Sequence, residues 1–270
     1  MRHTAGHFAA AALTACHIAA RFAALKAALS TAQTTPLTTA LPAAAMPSPI
    51  TATTRRFDLI VFDWDGTLFD STALIVRCMQ GACADLGLPV PSDERAAYVI
   101  GLGLHDALQH IVPGLAAARY PELGSRYRHH YVARQHELVL FPGTLEMLHA
   151  LKSRNHWLAV ATGKSRAGLD ESLLAVQLRG LFDGTRTADE TAGKPNPLML
   201  QQLMSEFGAD PTRTLMIGDT SHDLQLAINA GTASVAVSYG AHQADAFTRL
   251  APLHVAHSTT ELHDWLLAHG

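Results

Sequence analysis

The chain has 270 residues, of which 48% are hydrophobic and 16% charged, enough apolar mass for one large domain or two smaller ones. A formal net charge of −3 with no long basic stripe disfavours nucleic acid as a partner. Three cysteines, Cys16, Cys78 and Cys83, form no disulfide framework and fit a reducing compartment such as the cytoplasm.

Residues 1–57 contain no Asp or Glu, and their only Lys or Arg residues are Arg2, Arg21, Lys26, Arg55 and Arg56. The apolar stretch from Phe8 to Cys16 is too short to span a bilayer. A Thr/Pro-rich piece from Ser30 to Thr54 has the composition of a flexible linker. We read residues 1–55 as a disordered or targeting extension, or as sequence upstream of a true start at Met46. They are kept out of the fold.

The next segment reads FDLIVFDWDGTLFDS. A short apolar run, Leu59–Phe62, predicts a strand buried on both faces. Asp63 and Asp65 follow at once, where such a strand ends. In open α/β sheets that edge is where ligands bind. Two carboxylates this close repel unless a cation or a proton is shared.

From about Ser71 to Leu140 the periodicity is helical. Apolar residues recur at helix spacing over Leu74–Leu86, and Pro89, Pro91, Gly101, Gly103, Pro113, Gly114 and Pro121 divide the rest into several helices. Cys78 and Cys83 are expected to pack inside the first of them. Phe141-Pro142-Gly143-Thr144 marks the return to the core. Further strands are predicted at Trp157–Ala161, Thr214–Ile217 and Ser234–Val237, with a weaker one near His254–Ala256. Amphipathic helices are predicted at Arg166–Leu178, Pro197–Phe207, His222–Ala230 and Ala244–Leu250. Ser258-x-x-Glu261 has the pattern of a capping box, opening a last helix to about Ala268. Strands alternating with helices imply a parallel sheet with crossovers. The expected organisation is therefore an α/β core, residues 56–70 and 141–270, with an inserted all-helical cap, residues 71–140.

Three later segments fall at strand ends. Thr162-Gly163-Lys164-Ser165 offers a hydroxyl and free backbone amides ahead of a helix, which suits an anion or a plain N-cap. Gly193-Lys194-Pro195-Asn196-Pro197 presents a lysine from a stiff loop, either to a partner or to solvent. Gly218-Asp219-Thr220-Ser221-His222-Asp223 repeats the opening theme of a buried strand running into acids, although Asp223 alone could simply favour a helix dipole. With Asp63 and Asp65 they supply four carboxylates, a hydroxyl, an ammonium and glycine-rich loops, the parts needed to hold Mg²⁺ and transfer a phosphoryl group.

This ordered set, Asp63-x-Asp65-Gly66-Thr67, Thr162, Lys194 and Gly218-Asp219-(x)₃-Asp223, resembles the haloacid dehalogenase superfamily over about residues 57–268. The helical insert resembles the C1-capped, phosphoglycolate-phosphatase-like branch. The resemblance implies a Rossmann-like parallel-sheet core with a helical cap. It implies a Mg²⁺-dependent hydrolase of small-metabolite phosphate monoesters. Asp63 would be the nucleophile that becomes an aspartyl-phosphate, and Asp65 the general acid and base. Asp63, the backbone carbonyl of Asp65, Asp219 and Asp223 would hold the metal. Gly66, Thr67, Thr162, Gly163 and Lys194 would surround the phosphate, with Lys194 offsetting charge.

A phosphomutase or a pyrophosphatase on the same scaffold are the alternatives. In capped relatives a turn such as Tyr98–His105 dips toward the leaving group, which makes His105 the cap candidate. Arg126, Arg128 and Arg134 either meet a substrate carboxylate or form a solvated helix face. The expected partner is a small phosphorylated metabolite, with no membrane or nucleic-acid contact, in a monomer or a homodimer.

Overall fold

A computed structural model describes residues 55–270. The expectations for the N-terminal extension fall almost entirely on residues outside that range. Six strands form one parallel sheet: β1 Leu59–Phe62, β2 Trp157–Thr162, β3 Gly184–Thr187, β4 Thr214–Gly218, β5 Ala233–Val237 and β6 Val255–Ala256, in the order β3-β2-β1-β4-β5-β6. β1 lies inside the sheet, with Phe62 in register with Val160 of β2 and Ile217 of β4. The ends of β2, β1 and β4 are therefore neighbours, and the segments that follow them meet at one edge.

The helices outside the insert are α5 Thr144–Ser153, α6 Arg166–Ala175, α7 Leu198–Phe207, α8 Ser221–Ala230 and α9 Thr259–His269. They cover both faces of the sheet. The side chains of β1 alternate between two cores, as the period of a strand requires. Ile60 and Phe62 join Met147, Leu148, Leu169 and Leu262 on one face. Leu59 and Val61 join Met199, Leu200, Leu203 and Leu226 on the other. Phe62 is fully buried, and truncating it to Ala would cost about 3–5 kcal/mol.

Between β1 and β2 the chain forms the helical insert: α1 Thr72–Asp85, α2 Asp93–Tyr98, α3 Leu104–Ile111 and α4 Tyr120–Arg134. It has its own apolar core, in which Met79, Ala82 and Cys83 of α1 meet Leu108 and Ile111 of α3 and Leu123 of α4. Cys78 and Cys83 are free and buried, as expected. The two connections at its base are tied together. Asp70 N–H donates to Val139 and Phe141 N–H to Leu68, both at 3.0 Å.

Several elements differ from the sequence reading. β3 was not expected, because Gly-Thr-Arg-Thr carries no apolar signal. It is an edge strand that needs only one neighbour. Helix α5 was not resolved from the return to the core. The predicted helix Ala244–Leu250 is a short 3-10 turn, Ala244–Phe247, whose Phe247 plugs a small core with Leu224 and Ala236. At α9, Ser258 caps Glu261 N–H at 3.1 Å, but the Glu261 carboxylate reaches His257 N–H at 2.8 Å, one residue before the cap. Among the described residues no helix is long and apolar enough to cross a membrane.

Candidate active site

Asp63, Asp219 and Asp223 come from two adjacent strand ends and the helix that follows one of them. All three are fully buried, and one carboxylate oxygen from each lies within 4.8 Å of the others. Asp63 continues β1, its N–H donating to Ile217 of β4 at 2.8 Å. Asp219 follows β4 and is gripped from two sides. The Thr67 hydroxyl donates to one oxygen at 2.8 Å and Ala241 N–H to the other at 2.7 Å. Asp223 is the N3 residue of α8. Its side chain accepts from Thr220 N–H at 3.0 Å while the Thr220 hydroxyl caps Asp223 N–H, a full capping box. The helix-dipole reading of Asp223 is thus true of its backbone position, and its second oxygen still faces the triad.

Lys194 is the cation of this cluster. Its ammonium donates to Asp63 and to Asp223, each at 2.6 Å, and the residue is 2% exposed. The solvated-charge alternative for this lysine is excluded by that burial. Burial opposes its charge, but the carboxylates of Asp223 and Asp63 outweigh that and hold its pKa above the ordinary lysine value. Burial likewise pushes the Asp63 carboxyl well above the usual range, with Lys194 opposing and Asp223 and Asp219 adding to the shift. Burial, then Asp223, push Asp219 up to about 7 against its two hydrogen bonds.

The donor set fits a divalent cation. Three carboxylates share one ammonium, so ionising all three would leave two uncompensated negative charges inside the protein, and a divalent cation would balance them. One oxygen of Asp63, Oδ2, is buried without any hydrogen-bond partner. Gly66, at φ +83°, leaves no room for a side chain, because a Cβ there would overlap the Asp219 carboxylate. The loop therefore wraps close against the acid it encloses.

Asp65 stands apart from the triad. Its carboxylate accepts from the Ser71 hydroxyl at 2.7 Å and from the Lys164 ammonium, 3.1 Å from both oxygens. Lys164 also donates to the Tyr131 hydroxyl of α4 at 2.9 Å and sits 4.6 Å from the centre of that ring. Lys164 therefore bridges the insert to Asp65. Burial opposes its charge, but Asp65 and Tyr131 hold its pKa above the ordinary value. Sequence reasoning named the loop that carries Lys164 but gave this lysine no role, and it missed Tyr131 and Ser71. The signal was present only as a lysine at the mouth of an anion-binding turn.

Thr162 ends β2 and is 1% exposed, its hydroxyl accepting from Lys164 N–H at 3.2 Å. Gly163 beside it is one place where the insert touches the core. A Cβ at Gly163 would overlap the carbonyl oxygens of Gly101 and Leu102. Thr67, expected near a phosphate, spends its hydroxyl on Asp219 instead. His105 lies on the rim of the cavity that opens above Asp63 and Asp65, exposed, with its ring edge against Tyr120 at 5.7 Å. Of the three arginines, Arg128 lines that cavity. Arg126 lies 3.9 Å from Asp85 on the surface, and Arg134 is exposed at the end of α4.

A parallel sheet with paired acids at its central strand ends, an interior lysine and a helical insert after β1 defines a class of hydrolase. The haloacid dehalogenase-like hydrolase family matches residues 60–237, and the chain belongs to that family. It is 36% identical over 212 residues to the "Probable phosphatase IndB" of Dickeya dadantii, covering 76% of this chain and 91% of that one. It is 34% identical over 191 residues to the phosphoglycolate phosphatase of Aliivibrio fischeri, covering 67% and 84%. A hydrolase from Pseudomonas syringae has the same fold, with a TM-score of 0.72 at 24% identity over 77% of this chain and 97% of that one.

Proposed function

We propose that this chain is a Mg²⁺-dependent hydrolase of small-metabolite phosphate monoesters, phosphoglycolate-phosphatase-like, working through an aspartyl-phosphate on Asp63. The observation that carries the reading is the buried Asp63–Asp219–Asp223 triad with the unpartnered Asp63 Oδ2 beside it. The phosphatase names of the two relatives support it.

Asp63, Asp219, Asp223 and the backbone carbonyl of Asp65 would hold Mg²⁺. When bound, the ion neutralises charge so that an anionic carboxylate can approach an anionic phosphate. At about 4 Å and an effective dielectric near 20, each like-charge pair opposes that approach by roughly 4 kcal/mol. Lys194 offsets the same repulsion from the protein side, since it already contacts Asp63. The Thr162 hydroxyl and the Gly163 amide would hold phosphate oxygens in the turn between β2 and α6. Gly66 lets its loop pass close to Asp219, and Thr67 orients that acid.

Asp63 attacks phosphorus as the bond from phosphorus to the ester oxygen breaks. Asp65 donates a proton to the departing oxygen and the alcohol leaves. Asp65 then takes a proton from a water that attacks the aspartyl-phosphate, which releases phosphate and restores Asp63. For the first step the Asp65 carboxylate must turn from Lys164 toward the ester oxygen.

The test is phosphate release with and without Mg²⁺ over a panel of small esters that includes phosphoglycolate. Mg²⁺-dependent release is the expected result. No release from any ester by folded protein that binds Mg²⁺ would shift the reading to phosphoryl transfer between sites on a sugar.

A further inference from the structure

We infer that the alcohol this site accepts carries a flat, largely apolar body, an aromatic ring or fused heterocycle, and no anionic group beside the ester oxygen. This rests on the phosphate-monoester reading and narrows its substrate class, away from phosphoglycolate itself.

The cavity above Asp63 and Asp65 has a volume of about 580 Å³. That is in the range that encloses a drug-sized molecule and far more than a two-carbon acid fills. On the insert side it is lined by residues 99–107 and by two helix faces. α1 contributes Ile75 and Met79, and α4 contributes Tyr127 and Tyr131, each pair one turn apart and so on one face. The two tyrosine rings lie 6.1 Å apart and only 31° from parallel. Tyr131 reaches Asp65 through one intervening ammonium, so this aromatic wall starts where the leaving oxygen must emerge. Val132 continues it to the mouth, 55% exposed, an apolar side chain left to water at the entrance of a cavity.

The charges point the same way. Lys194 is sealed between Asp63 and Asp223. Lys164, a partly buried cation at the cavity, is already matched to Asp65 and Tyr131. The remaining cavity-lining basic groups, Arg128 and His105, are exposed, as are the lining acids Asp106, Glu171 and Asp189. No buried cation among the described residues is left over for a carboxylate on the leaving group. A small anionic alcohol such as glycolate would meet apolar wall near the reacting atoms and exposed acids among the lining. A ring would cover the tyrosine faces and the Ile75 and Met79 side chains, removing apolar surface from water.

The test uses three esters that share a two-carbon primary alcohol, ethyl phosphate, 2-phenylethyl phosphate and phosphoglycolate. It pairs them with their non-hydrolysable counterparts propylphosphonate, 3-phenylpropylphosphonate and 3-phosphonopropionate, all with Mg²⁺ present. The expected result is that 3-phenylpropylphosphonate binds at least tenfold more tightly than propylphosphonate, with 3-phosphonopropionate weakest, and that kcat/KM follows the same order. Tyr127→Ala should cut the phenyl-to-propyl binding ratio at least threefold. Val132→Lys, at an exposed position that does not threaten folding, should move the preference toward 3-phosphonopropionate. Turnover of ethyl phosphate with no phenyl preference, or a tenfold preference for phosphoglycolate, would overturn this inference and leave the phosphatase reading standing. Tight binding of the phenyl phosphonate without turnover of any ester would uphold the slot and overturn the phosphatase reading.

Discussion

The ammonium of Lys194 lies 2.6 Å from the carboxylate of Asp63, although 131 residues separate them and both side chains are closed to solvent. Removing one partner of such a pair leaves the other charge buried and unmatched, which costs about 3–5 kcal/mol. Lys194→Met should therefore lower metal-free stability by that amount in urea denaturation with a chelator present, and it should also abolish most turnover. A variant as stable as the parent would show that Lys194 does not hold the carboxylates together.

Asp63→Asn keeps the shape of the side chain and removes its nucleophilic charge. It should abolish phosphate release while near-UV circular dichroism stays unchanged. Substantial turnover by this variant would place the nucleophile elsewhere.

The pH dependence of the metal-free protein follows from Asp219. Its folded pKa, about 7, lies above its unfolded value. The folded state thus holds a proton that the unfolded state releases more readily. The stability tied to this group is full below about pH 4 and is lost as pH rises through 7. A divalent cation competes with that proton. The rise in Tm on adding Mg²⁺ should be larger at pH 8 than at pH 5.5, and Asp219→Asn should remove most of the difference. A larger Mg²⁺ effect at the lower pH would contradict this assignment.

Lys164 joins Asp65 to Tyr131 of the insert, so the two contacts should be energetically coupled. Tyr131→Phe deletes one hydrogen bond to an ammonium and should cost about 1.5–3 kcal/mol in the parent protein. In a Lys164→Met background the same change should cost almost nothing. Lys164→Met should lower kcat more than it changes KM, because Asp65 loses its orienting partner. Additive effects in the double variant would show that Tyr131 acts independently of Lys164.

Local chemistry made much of this molecule readable. β1, β2, β4 and β5 are apolar runs buried on both faces, and such runs announce themselves without any partner. The strand β3 does not, because an edge strand of Gly-Thr-Arg-Thr is held by backbone hydrogen bonds that leave no trace in composition. The helical insert was legible from periodicity and from prolines and glycines. Its separate core, around Leu108 and Leu123, follows from contacts between helices that the pattern cannot assign.

The sequence by itself determined which acids stand at strand ends, and in what order the motifs come, because each motif is a short segment whose geometry is set by its own backbone. Tertiary structure alone decided their pairing. Strand order β2-β1-β4 brings Asp63 beside Asp219, and the closed interior turns Lys194 from a loop charge into the counter-ion of two carboxylates. The same is true of Lys164 and Tyr131, which lie 33 residues apart and meet only because the insert folds back over the sheet edge. Spacing within a segment fixes local chemistry. Burial and charge pairing depend on which segments share a space, and that is decided by packing.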